Sequence, residues 1–135
     1  MNTLMIETGI KGESRMKVTD KDTAESVGSG TLPVFATPVM ALLIEKTAAE
    51  SVSEYLENGD TTVGTMLDIA HSAPSSVGAE VVCTTEVIKV DRAKIRFAIT
   101  VTDGSGVIGS GFHERFKVQS AKFMNKSASR LSNGN

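Results

Sequence analysis

The chain has 135 residues, enough for one domain with a sizeable core. It is 40% hydrophobic and 22% charged with a formal net charge of −2; five Phe, one Tyr and no Trp leave a largely aliphatic core. A weakly acidic, aromatic-poor chain without a Lys/Arg cluster argues against nucleic acid as a partner, and the longest apolar run, Val39 to Ile44, is too short to cross a membrane.

The N-terminus, residues 1–11, carries no pattern and reads as loose. It has no basic start followed by an apolar segment, which points to a cytoplasmic protein rather than a secreted one. A single cysteine, Cys83, agrees, since it can form no intramolecular disulfide. The domain proper spans residues 12–131, with 132–135 fraying. "KGESRMKVTDKDTA" predicts a first strand in which Met16 and Val18 alternate with charges. "AESVGSGTLPVFAT" is rich in Gly and Ser and reads as a loop able to cover a site.

One strong helix follows, from Thr37 to about Leu56. Thr37 suits the N-cap, Pro38 the first helical position, and Asn58-Gly59 a left-handed stop. On a helical wheel Ala41, Leu42, Ala48, Ala49 and Val52 share one side, with Glu45 at its centre. From Thr61 the period changes to two. Val63, Thr65, Leu67, Ile69 and His71 are predicted on one strand face; "AEVVCTTEVIKV" is a second strand whose imperfect alternation suggests a bulge. Cys83 sits in it as a small hydrophobe. The third, "AKIRFAITVT", sets Ala93, Ile95, Phe97, Ile99 and Val101 against Lys94 and Arg96. After the turn Asp103 to Gly106, the last strand puts Ile108, Phe112, Phe116 and Val118 on one face and His113, Arg115 and Lys117 on the other. A short helix is expected around Lys122 to Leu131. Short turns imply an antiparallel meander, so the fold class is α+β, a sheet of about five strands curling around one long helix.

Glu45 is the first candidate for chemistry, because a carboxylate buried without a partner is costly. Two readings fit it: an Ala-rich seam at which the side chain reaches water, or small alanines leaving room for a substrate beside it. His71 is either a hydrogen-bonded core residue or a partner for Glu45, the pair supplying acid–base chemistry near neutral pH. Thr37 is an N-cap, or a hydroxyl beside free N–H groups where an oxyanion develops. In "GFHERF", His113, Glu114 and Arg115 read as solvated charge, with Arg115 alternatively meeting a phosphate. The Gly-rich stretches lack phosphate-loop spacing, and His71, Cys83 and His113 lack metal-ligand spacing.

Taken in order, "LPVFATPVMALLIEKTAAE", "TTVGTMLDIAHSAPSSVG", "DGSGVIGSGFHERF" and "KFMNK" resemble the fluoroacetyl-CoA thioesterase-like family of the hotdog superfamily, over roughly Gly12 to Lys126. The resemblance implies a hotdog fold, a homodimer with acyl-CoA sites near the subunit interface, and hydrolysis of acyl-CoA to a carboxylic acid and free CoA. No cofactor is implied, since CoA is part of the substrate. The family's catalytic threonine, glutamate and histidine match Thr37, Glu45 and His71; its substrate-binding positions match Phe35, Gly64 and Arg115. The lid phenylalanines of the fluoroacetate-specific member are replaced by residues such as Gly28 and Thr31, which implies a broader or different short-chain acyl group. The competing expectations are a non-catalytic acyl-CoA-binding module and a hotdog hydratase, the latter weakened because Asp68 alternates onto the face opposite His71.

Overall fold

The computed structural model describes residues 5–133. Five strands, β1 (Lys11–Lys17), β2 (Asp60–His71), β3 (Glu80–Asp91), β4 (Lys94–Asp103) and β5 (Gly106–Gln119), form one antiparallel sheet in the order β1-β3-β4-β5-β2. A one-turn helix, α1 (Ala24–Val27), precedes the long helix α2 (Thr37–Ser53), and α3 (Ser120–Asn133) closes the described chain. Residues 1–4 of the expected loose N-terminus and 134–135 of the expected frayed end lie outside the described residues. Within them, the Gly9 N–H already donates to the Val87 carbonyl.

The sheet wraps α2, which buries Met40, Ile44, Ala48 and Val52 at intervals of four, with Leu43 and Thr47 beside them. Opposite them lie Val81, Cys83 and Val87 of β3 and Ile95, Phe97, Ile99 and Val101 of β4. The strong alternation of β4 is therefore a true inside–outside pattern. The β3 irregularity is a bulge between Val87 and Lys89. Gly109 of β5 lies so close to α2 that a Cβ there would meet the Met40 sulfur at 2.8 Å, so this glycine serves packing.

Four expectations change. The core stripe of α2 is centred on Ile44, and Glu45 stands about 100° round from it, on the flank. Ala41, Glu45 and Ala49 are half-buried there and Leu42 is 65% exposed, because the sheet covers only one side of the helix. Counting alanines as core placed the stripe too far round. Second, α2 ends at Ser53, and its N-cap is Ala36, not Thr37; the Thr37 hydroxyl makes no cap hydrogen bond. Third, a bulge between Gly64 and Met66 splits the predicted β2 face. Thr62 and Gly64 turn toward α2 before it, whereas Leu67, Ile69 and His71 face in after it, in register with inward residues of β5.

Fourth, Ile108 at the start of β5 is core as expected, but from Phe112 on the two faces are exchanged. His113 and Arg115 are buried at 1% and 7% exposure, while Phe112 and Phe116 lie outside at 39% and 38%. The Arg96 guanidinium covers the Phe112 ring at 4.6 Å while pairing with Glu114 at 2.7 Å, which shields the outer aromatic. The inner polar groups satisfy one another, as described below.

Candidate active site

Two clusters form where α2 meets β2 and β5. At the start of α2, the Thr37 hydroxyl lies 2.8 Å from His71 Nδ1 at the end of β2. Because Ala36 takes the cap position and Pro38 has no N–H, this hydroxyl is left for a long-range partner. His71 is pushed below the ordinary imidazole range by burial, partly offset by the Ala73 backbone. Its Nε2 is buried and has no hydrogen-bond partner among the described residues. The Phe35 ring, itself fully buried, stands edge-on to the imidazole at 6.0 Å and 75°.

A groove of about 350 Å³ opens beside this pair, lined by Ala24, Ser29, Val34, Phe35 and Pro74 as well as Thr37 and His71. The Gly/Ser-rich segment before α2 thus borders the groove, as its composition suggested. It is not featureless: Thr23 caps α1 through its hydroxyl, Gly28 ends α1 at φ +86°, and isolated bridges tie Thr23 to Phe35 and Val34 to Ser76.

Two turns further along α2, Glu45 reaches over Gly64. A Cβ at Gly64 would lie 2.7 Å from Glu45 Oε1 and 3.3 Å from both Arg115 Nη1 and His113 Cε1. Only a glycine leaves room for carboxylate, guanidinium and imidazole to converge there. Arg115 Nη1 is 3.7 Å from Glu45 Oε1, an ion pair in which the arginine is nearly enclosed and the glutamate is half exposed.

A buried guanidinium needs its donors satisfied. Arg115 Nε donates to Thr62 Oγ1 at 2.8 Å, Nη2 to the Thr62 carbonyl at 3.0 Å, and Nη1 to His113 Nε2 at 3.2 Å. His113 Nδ1 in turn donates to the Met66 carbonyl at 2.8 Å, and the ring stacks on Phe97. Its carbonyl partner accepts only and its guanidinium partner donates only, so His113 is neutral with the proton on Nδ1. Burial holds this imidazole below its usual range, the Met66 carbonyl opposing and the Arg115 charge adding to the effect. Burial also lowers Arg115, against the pull of Glu45, but a guanidinium stays charged at neutral pH.

Among the described residues no hydrogen bond or ion pair joins Glu45 to Thr37 or His71. The eight-residue step from Thr37 to Glu45 corresponds to about 12 Å of helix rise. The structure therefore brings Thr37, His71 and Phe35 together, and Glu45, Gly64 and Arg115 together, as two neighbouring sets within one chain. Sequence reasoning missed His113 and Thr62, since two phenylalanines in "GFHERF" pointed to the other face as buried. From Phe112 to Phe116 the alternation itself was right; only the choice of inner side needed the buried partners. Among the described residues no group of three His, Cys, Asp or Glu side chains is placed to hold a metal ion, and no helix is long and apolar enough to cross a membrane.

The fold is shared with several solved structures. A structure of the fluoroacetyl-CoA thioesterase FlK is 27% identical with a TM-score of 0.86, covering 93% of this chain and 97% of that one. A variant of the same enzyme solved with fluoroacetate and CoA gives 27% identity and a TM-score of 0.83, over 87% and 99% of the two chains. A thioesterase superfamily member from Thermus thermophilus, 23% identical with a TM-score of 0.85 over 94% and 93%, shares the fold. A five-stranded antiparallel sheet around one long helix, with these neighbours, defines a hotdog-fold protein of the thioesterase superfamily. In sequence, the family of the fluoroacetyl-CoA-specific thioesterase matches residues 18–121. The fluoroacetyl-CoA thioesterase of Streptantibioticus cattleyicolor is 34% identical over 90 residues, 67% of this chain and 65% of that protein. The chain belongs to the fluoroacetyl-CoA-specific thioesterase family, a family of thioester hydrolases.

Proposed function

We propose that this protein hydrolyses a short-chain acyl-CoA to a carboxylic acid and free CoA, with Glu45 as the attacking group or the base that activates water. The observation that carries this reading is the Glu45 carboxylate held over Gly64 beside a buried Arg115 whose three nitrogens are each hydrogen-bonded. A carboxylate so placed has a cation beside it and stays half open to an incoming thioester. The Thr37–His71 pair supplies the proton that the departing sulfur needs, and N–H groups near Gly64 and the start of α2 hold the oxyanion. Phe35 backs the imidazole. CoA enters as part of the substrate, and the reaction requires water alone.

The two sets of residues meet in a homodimer. β2 is an edge strand, and beside it the α2 flank exposes Leu42, so each chain offers an open edge with an apolar border. Antiparallel pairing of two β2 edges centred on Leu67, with the bulge taking up Thr65, would set Gly64 opposite the partner's Ile69 on the inner face. The partner's His71, the next inward residue along that strand, would then lie on the side of β2 from which Glu45 approaches Gly64. The stretch Gly28 to Thr31, of which Ser29 lines the groove, carries no aromatic side chain, which favours a broader or different short-chain acyl group over a fluoroacetyl specialist.

Free-thiol release from acetyl-, propionyl-, aromatic and longer acyl-CoAs tests the reading. The expected result is turnover of a short-chain ester and its near-complete loss in Glu45→Gln, with the oligomer intact. Unchanged turnover in that variant overturns the role of Glu45. Tight CoA-ester binding without thiol release from any ester points instead to a binding module. Mixing Glu45→Gln with His71→Ala subunits should restore part of the activity; if mixed and separate samples stay equally inactive, the sets act within one chain. Single-turnover hydrolysis in ¹⁸O-water separates attack by Glu45 from attack by water.

A further inference from the structure

The strongest unassigned feature is the buried polar chain behind Arg115. The guanidinium reaches Glu45 only at 3.7 Å, yet each of its three nitrogens donates to a closer partner. Thr62 grips it twice, through hydroxyl and carbonyl, from the strand segment just before the bulge. His113 accepts from Nη1 and, through its opposite ring nitrogen, holds the carbonyl of Met66 just after the bulge. One imidazole therefore joins the bulge, which brings Gly64 under the carboxylate, to the cation that neighbours that carboxylate. Phe97 fixes the ring plane by stacking at 6.0 Å and 28°.

We propose that His113 and Thr62 are positioning residues that aim Arg115 at Glu45 and hold the β2 bulge in the shape that seats the carboxylate over Gly64. Neither touches substrate. Their effect on turnover rests on the thioesterase reading above; the geometric part does not. The neutral ring is essential to it, because a protonated imidazole would oppose two N–H donors where one acceptor is required. An arginine swung by an ångström costs up to about a hundredfold in rate when its job is orientation.

Two substitutions at His113 separate positioning from simple packing. His113→Gln keeps an acceptor where Nε2 stands, whereas His113→Asn keeps a donor where Nδ1 stands and loses the acceptor for Arg115. Both leave a hole beside Phe97 and should lower the melting temperature. With the best acyl-CoA, kcat should fall about tenfold or more in His113→Asn with little change in KM, and stay within about threefold in His113→Gln. Thr62→Val should follow the Asn variant, and Thr62→Ser should restore activity. Equal kinetic loss in Gln and Asn, tracking the melting temperature, would overturn the proposal. If the wild type hydrolyses no ester, NMR decides the same point. The Arg115 Nη1–H signal should exchange slowly in wild type and His113→Gln and be lost to exchange in His113→Asn, while the Nε–H signal should be lost in Thr62→Val. A protected signal in His113→Asn would overturn the positioning role whatever the activity.

Discussion

Replacing Gly64 by alanine is the sharpest probe of how the carboxylate is seated. The added Cβ would stand 2.7 Å from Glu45 Oε1, against an ordinary contact of 3.4 Å or more, so the carboxylate must retreat by about 0.7 Å. The contacts at 3.3 Å to Arg115 and His113 need only a few tenths of an ångström of adjustment. The atom that must move most is the tip of a flexible, half-exposed side chain, so folding should lose no more than about 1 kcal/mol. Chemistry is less forgiving. A displacement approaching 1 Å at an attacking group corresponds to ten- to hundredfold in kcat, or about 1.4 to 2.7 kcal/mol of barrier. Steady-state thiol release alongside thermal melts checks this: kcat should fall by that factor while the melting temperature barely changes. A Gly64→Ala enzyme within threefold of wild type in kcat/KM would refute the claim that this glycine makes room for a working carboxylate. Cys83 will not confuse the assay, since the thiol is buried and burial raises its pKa.

Thr37→Val should lower turnover about tenfold with stability unchanged within about 0.5 kcal/mol, because the hydroxyl serves His71 and caps nothing; Thr37→Ser should retain most activity. A Val variant that loses stability but keeps its rate would contradict this. Burial holds both His71 and His113 below their ordinary value of 6.5, so the unfolded chain takes up protons that the folded one refuses. Stability should therefore be level above about pH 7 and decline as pH drops through 6.5. Asp103, held down by the Ser75 hydroxyl, and Glu114, held down by Arg96, add their losses only below 3.8 and 4.5. Chemical unfolding between pH 5 and 8 measures the histidine part; a stability that rises on acidification contradicts it. Phe97→Ala should cost about 3–5 kcal/mol in denaturant unfolding and reduce activity as well, since the ring packs in the core and supports His113.

Much of the molecule was determined by local chemistry that a sequence displays. The 3.6-residue period of α2, the two-residue period of β4 and the Asp103–Gly106 turn define a meander around one helix without reference to anything distant. The β3 bulge left a visible break in alternation. The resemblance of "TPVMALLIEKTAAE" and "HERF" to one family singled out Glu45 and Arg115, which the structure places together.

What tertiary structure decided was direction. Which side of α2 is core depended on where the sheet lay, so Glu45 moved from the centre of an apolar stripe to its flank. The inner face of β5 depended on Thr62 and Met66, residues some fifty positions away that satisfy His113 and Arg115. The β2 bulge flips every residue before it to the other face, and only pairing with β5 reveals it. Thr37 lost its expected cap role to a neighbour that propensity disfavours, because His71 offered its hydroxyl a partner across 34 residues. Periodicity is written in adjacent residues, whereas the pairing of buried polar groups is settled by partners distant in the chain, and in this protein those pairings build the site.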